Sequence, residues 1–298
     1  MITATRSSLI AFAATALAAT AIGCGSSDGE TASSGKDGGS ITIAQGSQPD
    51  ALDPAIAYTS NSWEPLWLVY TPPLTYRRAE GAEGAELIPG AAEALPTVSN
   101  GDKTYSFKIR KGLKYSDGTP VKASDFEHAV KRVLTLESGG TYLFEGIEGA
   151  TEYIEAGDPE GDIAGIEADD KTGEVTVTLT APDGSFNNVL ATTFAGLVPS
   201  TTPFENQTKN PPPGVGPYAI TESVPNRQFV MEKVKSFDIP DIPKGNLDTI
   251  TTKIVKSASR QAQDVIAGDL DYMQDPPPND LVAEIEAQHS DRYKEWPT

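Results

Sequence analysis

The segment from Tyr105 to Phe126 constrains the fold of this 298-residue chain more than any other part of its sequence. Apolar and polar residues alternate along Thr104–Arg110, which is the pattern of a strand with one face buried and one face in water. Turns are expected at Gly112 and again at Gly118, with a short extended stretch between them. A strand, two turns and a helix are therefore expected to follow one another in this segment.

The helix that follows these turns is predicted to begin at Ser124. Ser124 and Glu127 have the spacing of a capping box, in which each side chain accepts a hydrogen bond from a free backbone N–H of the first turn. The residues expected to form the buried face of this helix are apolar and recur at helical spacing: Phe126, Val130, Val133 and Leu134.

Other elements are predicted from alternating or helical patterns along the rest of the chain. Asp169–Gly173 is expected to close a hairpin, and Gly268 is expected to end a helix in the left-handed conformation that glycine adopts easily. The predicted strands are Ser40–Gln45, Ile163–Glu167, Glu174–Thr180, Tyr218–Ile220, Phe229–Val234 and Thr249–Val255. One further helix is predicted to be capped by Ser257 and to run through Ala267, and another is predicted at Asp280–Ala287.

An aromatic stripe predicts a further helix between Ser62 and Tyr70. Large apolar side chains recur there at positions i, i+3, i+4 and i+7, and two prolines soon afterwards would stop the helix. Aromatic residues at this spacing usually belong to a core, and contact with a ligand is the alternative. The four residues of the stripe are Trp63, Leu66, Trp67 and Tyr70.

The amino-terminal segment has the pattern of an export signal. No charged residue lies between Arg6 and Asp28, and the apolar stretch Leu9–Ile22 is shorter than the roughly 20 residues that a membrane-spanning helix needs. We therefore predict that residues 1–23 are a signal peptide. Residues 24–40 are rich in Gly and Ser and predict a flexible tether.

Cys24 is the only cysteine of the chain, and it follows Ala21-Ile22-Gly23 directly after the apolar stretch. This arrangement resembles the lipobox of bacterial lipoproteins, where the cysteine thiol is acylated after cleavage, although Ala21 stands where leucine is usual. The alternative is an ordinary secretory signal with an incidental cysteine. The lipobox interpretation predicts a protein outside the cytoplasm that is anchored to the membrane through Cys24.

Charge and composition exclude several functional classes. The chain has 42 acidic and 23 basic residues, and such an excess of negative charge disfavours nucleic-acid binding. Its two histidines, His128 and His289, are far apart, so neither a histidine metal site nor a catalytic triad is expected. An acidic run at Asp158–Asp162 lacks the glycine and glutamate of a calcium loop. No cofactor, metal ion or catalytic residue is predicted.

Several blocks resemble the peptide- and nickel-binding ABC solute-binding proteins, known as extracellular solute-binding family 5. The similarity is carried by Leu52-Asp53-Pro54 after the first strand, by the whole segment Tyr105–Phe126, by the turn Gly214-Val-Gly-Pro-Tyr218, and by Ala267-Gly268-Asp269-Leu270-Asp271. These blocks occur in the family's order. After Phe229–Val234 the family has Arg-Asn-Pro and an aromatic residue, of which this chain keeps basic residues and Phe237.

The resemblance implies a mixed α/β fold, the periplasmic-binding-protein fold of type II (cluster C), which is a clamshell of two lobes joined by strands. It implies a first lobe at residues 41–256, with an inserted subdomain at about 76–182, and the start of a second lobe at 257–298. Because family members are much longer, we expect this sequence to be an amino-terminal fragment with most of the second lobe missing.

The implied function is the capture of di- or oligopeptides, or similar small solutes, for delivery to the transmembrane permease of an ABC importer. The ligand would be enclosed by closure of the lobes without any reaction. The alternatives left open are an extracytoplasmic scaffold or adhesion lipoprotein and, less favoured, a secreted hydrolase.

Three groups of residues are the candidates for contact with the ligand, and ordinary packing is the alternative for each. The first is the loop Gly46–Asp50, with Gln48 as its main side chain. The second is aromatic, and the third is the segment Leu197–Pro199 near the hinge. The individual candidates are Gln48, Tyr58, Trp63, Tyr142 and Val198.

Overall fold

The computed structural model of the protein describes residues 36–293. The predicted signal peptide, the lipobox cysteine and most of the predicted tether lie outside these residues. Gly38 N donates to Asn246 O at 2.8 Å, and Gly39 N donates to the Asp248 carboxylate at 3.1 Å. The folded body therefore begins before residue 41, two or three residues earlier than the sequence predicted.

The first of two large sheets has five strands in the order β11-β1-β10-β9-β8. β1 pairs in parallel with β10 on one side and with β11 on the other, whereas β8, β9 and β10 are antiparallel. α1 packs against this sheet, and their shared core includes Leu66, Tyr70 and Phe229. The elements of this part are β1 (Ser40–Gln45), α1 (Ser60–Val69), β8 (Tyr218–Val224), β9 (Gln228–Lys233), β10 (Thr249–Ile254), α5 (Ala258–Ala267), β11 (Tyr272–Met273) and α6 (Asn279–Gln288).

The second sheet has four antiparallel strands in the order β4-β5-β7-β6. Helix α2 covers one of its faces with Phe126, Val130 and Val133, all fully buried as predicted. The ring of Phe126 meets Phe107 edge to face at 5.4 Å. The elements of this part are β4 (Thr97–Ser99), β5 (Thr104–Lys108), α2 (Ser124–Thr135), α3 (Ala150–Ala156), β6 (Ile166–Asp169), β7 (Glu174–Thr178) and α4 (Phe186–Val189).

A short hairpin, β2 (Leu74–Tyr76) with β3 (Leu87–Pro89), and three turns of 3-10 helix at Gly81–Ala85, Thr141–Leu143 and Thr193–Ala195 complete the elements of the described chain. The core under the second sheet continues past residue 182 to Phe194 and Leu197. The mixed α/β architecture predicted from the sequence is confirmed.

The capping box predicted for α2 is wrong. Ser124 donates through both its N–H and its hydroxyl to the carboxylate of Asp170, in the turn between β6 and β7. Glu127 pairs with Lys131 at 2.8 Å, while Asp125 accepts a hydrogen bond from Lys122 N at 2.8 Å. The sheet supplies a carboxylate at the start of the helix, and the local motif is not used.

The buried face predicted for the aromatic helix is partly wrong. Leu66 and Tyr70 are fully buried, but Trp67 is 39% exposed and lies under the guanidinium of Arg78 at 5.6 Å. The helix ends at Val69, before the prolines, as expected. Ser62 and Pro65 occupy the buried positions instead, because α1 faces the sheet along the line that joins Ser62, Leu66 and Val69.

Helix α5 has the predicted ends. The Ser257 hydroxyl accepts a hydrogen bond from Arg260 N at 3.3 Å, and Gly268 has a φ of 84°. The strand that follows, β11, pairs with β1 at the edge of the first sheet. The chain therefore stays with the first sheet through Met273, and the lobe boundary predicted at residue 256 stays a prediction.

The Gly214–Tyr218 turn packs against the end of α1. A Cβ atom at Gly214 would lie 2.2 Å from the carbonyl oxygen of Val69, and one at Gly216 would lie 2.4 Å from that of Leu68. Thr71 N donates to Val215 O at 2.7 Å. The glycines are needed because the turn touches the backbone of α1 itself.

Candidate functional site

The parallel strands β1, β10 and β11 end at the same edge of the first sheet. In open α/β sheets the crevice beyond the carboxyl ends of the strands is the usual place for a ligand. The loop Gly46–Asp50 leaves β1 at this edge, and Val255 N, just after β10, donates to Gln45 O at 2.9 Å. The amino end of α1 comes to the same place, and together these segments form the candidate site.

Asp50 ties this loop to the amino end of α1. Its carboxylate accepts hydrogen bonds from the backbone N–H groups of Tyr58 and Thr59 at 2.9 and 3.2 Å. The hydroxyls of Thr59 and Ser62 donate to it as well. Burial alone would raise the pKa of Asp50, but these donors together hold that pKa below its usual value. The carboxylate therefore stays ionised and holds the segment in place.

The side of the site next to β11 is polar and acidic. Gln274, which follows β11, donates its side-chain amide to Glu64 of α1, and Gln261 donates to the Asp275 carboxylate at 2.7 Å. Partial burial raises the pKa of Glu64, an effect that the hydrogen bond from Gln274 opposes. Gly46 lies against Asp275, since a Cβ there would be 2.5 Å from a carboxylate oxygen. These groups offer acceptors to a ligand that carries N–H donors or positive charge.

The other side of the site is aromatic and is organised by Phe194. Its buried ring lies 5.7 Å from the Trp63 ring, edge to face, and 6.3 Å from the Tyr58 ring. Trp63 donates its indole N–H to Ala57 O at 2.8 Å, which fixes the ring. Tyr58 is 53% exposed, so this cluster presents an aromatic surface to solvent. Rings held in this way bury apolar area of a ligand at little cost in side-chain entropy.

Two glycines make room for these rings. A Cβ at Gly139 would lie 2.6 Å from the Tyr58 ring, and one at Gly140 would lie 2.6 Å from the Phe194 ring. The 3-10 turn Thr141–Leu143 follows directly, and its Tyr142 is 62% exposed. Tyr142 thus lies near the aromatic cluster along the chain, although no ring contact joins it to the cluster within residues 36–293.

Of the five predicted site residues, the structure brings Tyr58 and Trp63 together through Phe194. Gln48 is exposed and accepts a hydrogen bond from Asn226 N in the β8–β9 turn, so it braces the loop against the sheet. Val198 is only 1% exposed and packs in the core of α1 and the first sheet. This burial removes the Val198 side chain from the surface that a ligand can reach.

Sequence reasoning overlooked Asp50 and Phe194, which organise the two halves of the site. Asp50 belongs to the loop that was singled out, but its partners lie 8 to 12 residues further along the chain, beyond the reach of a local capping pattern. No sequence pattern around Phe194 predicts its role, because the rings that it contacts, Tyr58 and Trp63, lie more than a hundred residues earlier in the chain. The pair Gly139–Gly140 is the signal that points to close packing in this region.

A buried ion pair lies behind the site and connects it to α2. Asp53 and Arg132 are both fully buried, and the guanidinium donates to the two carboxylate oxygens at 2.9 and 2.8 Å. Burial, together with the nearby Asp53 carboxylate, raises the pKa of Tyr70 well above its usual value. Tyr70 remains a neutral phenol and donates to Pro212 O at 2.7 Å. The Leu52-Asp53-Pro54 motif is therefore structural.

Neither a metal-binding cluster nor a membrane-crossing helix is found within residues 36–293. No three His, Cys, Asp or Glu side chains of this range converge as metal ligands would. None of its helices combines the length and the apolar character that are needed to cross a bilayer.

Comparison with known proteins identifies the family. Residues 86–297 match the model of the bacterial extracellular solute-binding proteins, family 5 Middle. The dipeptide-binding protein DppE of Bacillus subtilis is 30% identical over 75% of this chain and 40% of its own length. The oligopeptide-binding protein OppA of the same organism is 28% identical over 86% of this chain and 46% of its own length.

Solved structures share the fold. The clavulanic acid biosynthesis oligopeptide binding protein 2 superposes with a TM-score of 0.71 at 26% identity, over 79% of this chain and 43% of its own. The murein tripeptide binding protein MppA of Escherichia coli superposes with a TM-score of 0.69 at 22% identity, over 85% of this chain and 48% of its own. This chain therefore spans less than half the length of these relatives. It belongs to the bacterial extracellular solute-binding proteins of family 5.

Proposed function

We propose that the protein is an extracytoplasmic binding protein that captures peptides for an ABC importer and passes them to the permease. Support comes from the family and from relatives whose names describe dipeptide and oligopeptide binding. In this proposal the described residues form the first lobe, and a second lobe would close over the ligand. Closure follows from binding because the ligand touches both lobes only in the closed form.

The observation that carries the proposal is the arrangement at the amino end of α1. There the loop from β1 is held by Asp50, an exposed aromatic surface lies on one side, and acidic acceptors lie on the other. Tyr58 and Trp63 would bury apolar parts of the ligand, and Tyr142 would extend that surface. Glu64 and Asp275 would face its N–H or ammonium groups. Gln48 would hold the loop without touching the ligand.

This surface suits a ligand of variable sequence. Aromatic faces accept many side chains, and acceptors at the strand ends can bind the backbone N–H groups that all peptides share. Water can fill the space that a given side chain leaves empty. The alternative of a scaffold without a ligand does not explain why Tyr58 stays exposed beside the buried ring of Phe194.

Thermal unfolding with a peptide library tests this function on the full-length protein. A ligand that binds only the folded state stabilises it by about 2.7 kcal/mol at a hundred times its dissociation constant, so a clear rise in Tm is expected for some peptides. No stabilisation by any di- to pentapeptide pool would contradict peptide binding. Turnover of a peptide would instead indicate the hydrolase alternative.

Membrane anchoring through Cys24 is part of the same proposal and has its own test. Acylation of the cysteine should keep the wild-type protein in the membrane fraction, whereas the Cys24→Ala variant cannot be acylated there. We expect the variant to lose the lipid label from radioactive palmitate. Equal labelling of the two proteins would contradict the anchor.

A further inference from the structure

Positive charge is concentrated in one part of this acidic chain. Residues 103–122 contain six Lys or Arg and a single acid, whereas the whole chain has a formal charge of −19. By contrast, residues 145–167 contain eight acids and no Lys, Arg or His. Both segments belong to the part of the protein built around the second sheet.

Residues 108–111 of the basic segment and Glu148 of the acidic segment lie at opposite ends of β7, whereas Lys103 lies at the same end as Glu148. Ile109 N donates to Gly173 O at 2.8 Å, so the basic segment adjoins the start of that strand. Glu148 N donates to Thr178 O at 2.9 Å, so the acidic segment adjoins its end. Lysines therefore concentrate at the end of the second sheet where β7 begins, and we call this surface the basic face. Asp169, Asp170 and Glu174 lie at the same end of the sheet.

The basic face is grooved, and most of its cations have no partner. Two grooves of about 430 and 520 Å³ meet at Arg110, Lys111 and Gly112. Arg110 donates to Gly90 O, but within residues 36–293 no carboxylate pairs with the exposed lysines of the face. These unpaired lysines are Lys108, Lys111, Lys114, Lys122 and Lys171.

The two grooves are lined by six cations and by three acids, Glu93, Asp170 and Asp238, and the exposed Glu174 lies opposite Lys108 in the register of β5 and β7. Asp170 binds the start of α2 through Ser124, and Asp238 pairs with Lys244 at 3.0 Å. Lysines that stay unpaired in a protein with such an excess of acid are available to an anion from outside.

The chain enters the folded body beside this face. A third groove, of about 670 Å³, is lined by Asp37 together with Lys233, Lys235 and Lys244, and it shares Phe237 with the groove around Lys111. Asp37 lies 3.8 Å from the Lys233 ammonium. Asp37, next to the first described residue, therefore lies at the border of the basic face.

We propose that the basic face docks on the anionic lipid headgroups of the membrane to which the protein is tethered. This inference rests on the anchor proposed above at Cys24. Lys36 is twelve residues beyond Cys24, and a chain of that length spans at most about 40 Å. An anionic bilayer surface attracts nearby lysines and repels the acidic end of the second sheet. Its electrostatic field therefore orients the folded body with the basic face towards the membrane.

Lysine modification on vesicles tests this orientation. The full chain is reconstituted in phosphatidylcholine vesicles, either pure or with phosphatidylglycerol at about 30 mol %. A membrane-impermeant amine reagent then labels each lysine, and mass spectrometry gives the rates. We expect Lys111 and Lys114 to react about fivefold more slowly on the anionic vesicles, and salt at about 0.5 M to abolish the difference. Lys209 and Lys253, exposed at the opposite end of the first sheet, are the internal controls.

A pair of matched variants separates the face from net charge. Lys111→Glu/Lys114→Glu should remove the protection of Lys108 and Lys122, whereas Lys209→Glu/Lys253→Glu should leave it unchanged. Equal labelling on both kinds of vesicle, or equal protection of the control lysines, would overturn the proposal. Protection by soluble polyphosphate but not by vesicles would overturn it in favour of another anionic partner.

The anchor and the basic face can fail separately. If Cys24→Ala keeps its lipid label, the anchor falls, while protection on anionic vesicles still reports on the face. If Cys24→Ala loses the palmitate label but the lysines of the wild type are not protected on anionic vesicles, the anchor stands and the docking proposal is wrong.

Discussion

Replacing Arg132 by methionine removes the cation from the buried ion pair behind the site. In the wild type each Asp53 oxygen accepts one N–H of the guanidinium and one backbone N–H, from Ala55 or Gln207. Arg132 also donates to the carbonyls of Pro203 and Glu205. The variant leaves a buried carboxylate with half of its donors and two carbonyls without their donor from Arg132.

The expected cost is large. Breaking a buried pair by removing one partner costs about 3–5 kcal/mol, because the remaining charge is buried without compensation. For a protein of this size, Tm should fall by roughly 6–20 °C. Urea unfolding followed by circular dichroism and by tryptophan fluorescence measures the loss and shows whether the transition stays cooperative.

Two further variants sharpen this test. Arg132→Met with Asp53→Asn removes both charges and should recover a substantial part of the loss. Arg260→Met breaks an exposed pair with Asp264, one helical turn away, and should cost only about 0.3–0.5 kcal/mol. If Arg132→Met costs no more than Arg260→Met, the pair is not buried as described, and the link from Leu52-Asp53-Pro54 to α2 is refuted.

Three further predictions concern stability. Burial lowers the pKa of His128, whose Nε2–H donates to Thr202 O at 2.9 Å, so the unfolded state binds the proton more readily. Tm should therefore fall as the pH drops below about 6.5, and His128→Gln should flatten that dependence; an unchanged slope contradicts it. Gly214→Ala forces a methyl group onto Val69 O and should cost about 1–3 kcal/mol in urea unfolding, and a neutral result would refute the close approach. At Gly268 a methyl group would enter open space, but the backbone φ there is 84°. Gly268→Ala should therefore lower the free energy of unfolding by only about 1–2 kcal/mol, and a larger loss would indicate a clash that the structure does not contain.

Local patterns predicted the elements whose partners are near in sequence. The alternation along Thr104–Arg110 became β5, the apolar residues of α2 are buried, and α5 has its Ser257 cap and its Gly268 end. In each case the local sequence pattern indicates which face of the element is buried, or which backbone N–H at the end of the helix needs an acceptor. The β6–β7 hairpin was also predicted, although β6 spans Ile166–Asp169 and not Ile163–Glu167.

Long-range pairing was not predictable from one sequence. Asp170 displaced the capping box from a turn 46 residues away, and Arg132 meets Asp53 from 79 residues away. β11 joins the first sheet although its two residues carry no strand pattern of their own. The aromatic half of the site depends on Phe194, which only the packing of the 3-10 turn brings to Trp63.

Calorimetry of peptide binding to the full-length protein tests the central claim that ligands bind at the amino end of α1. Tyr58→Ala should weaken binding of a peptide hit at least about tenfold, since exposed, well-packed aromatics dominate such surfaces. Tyr76→Ala, an exposed tyrosine in β2, is the matched control and should leave the affinity unchanged. Unchanged affinity in Tyr58→Ala, or an equal loss in both variants, would contradict the placement of the site.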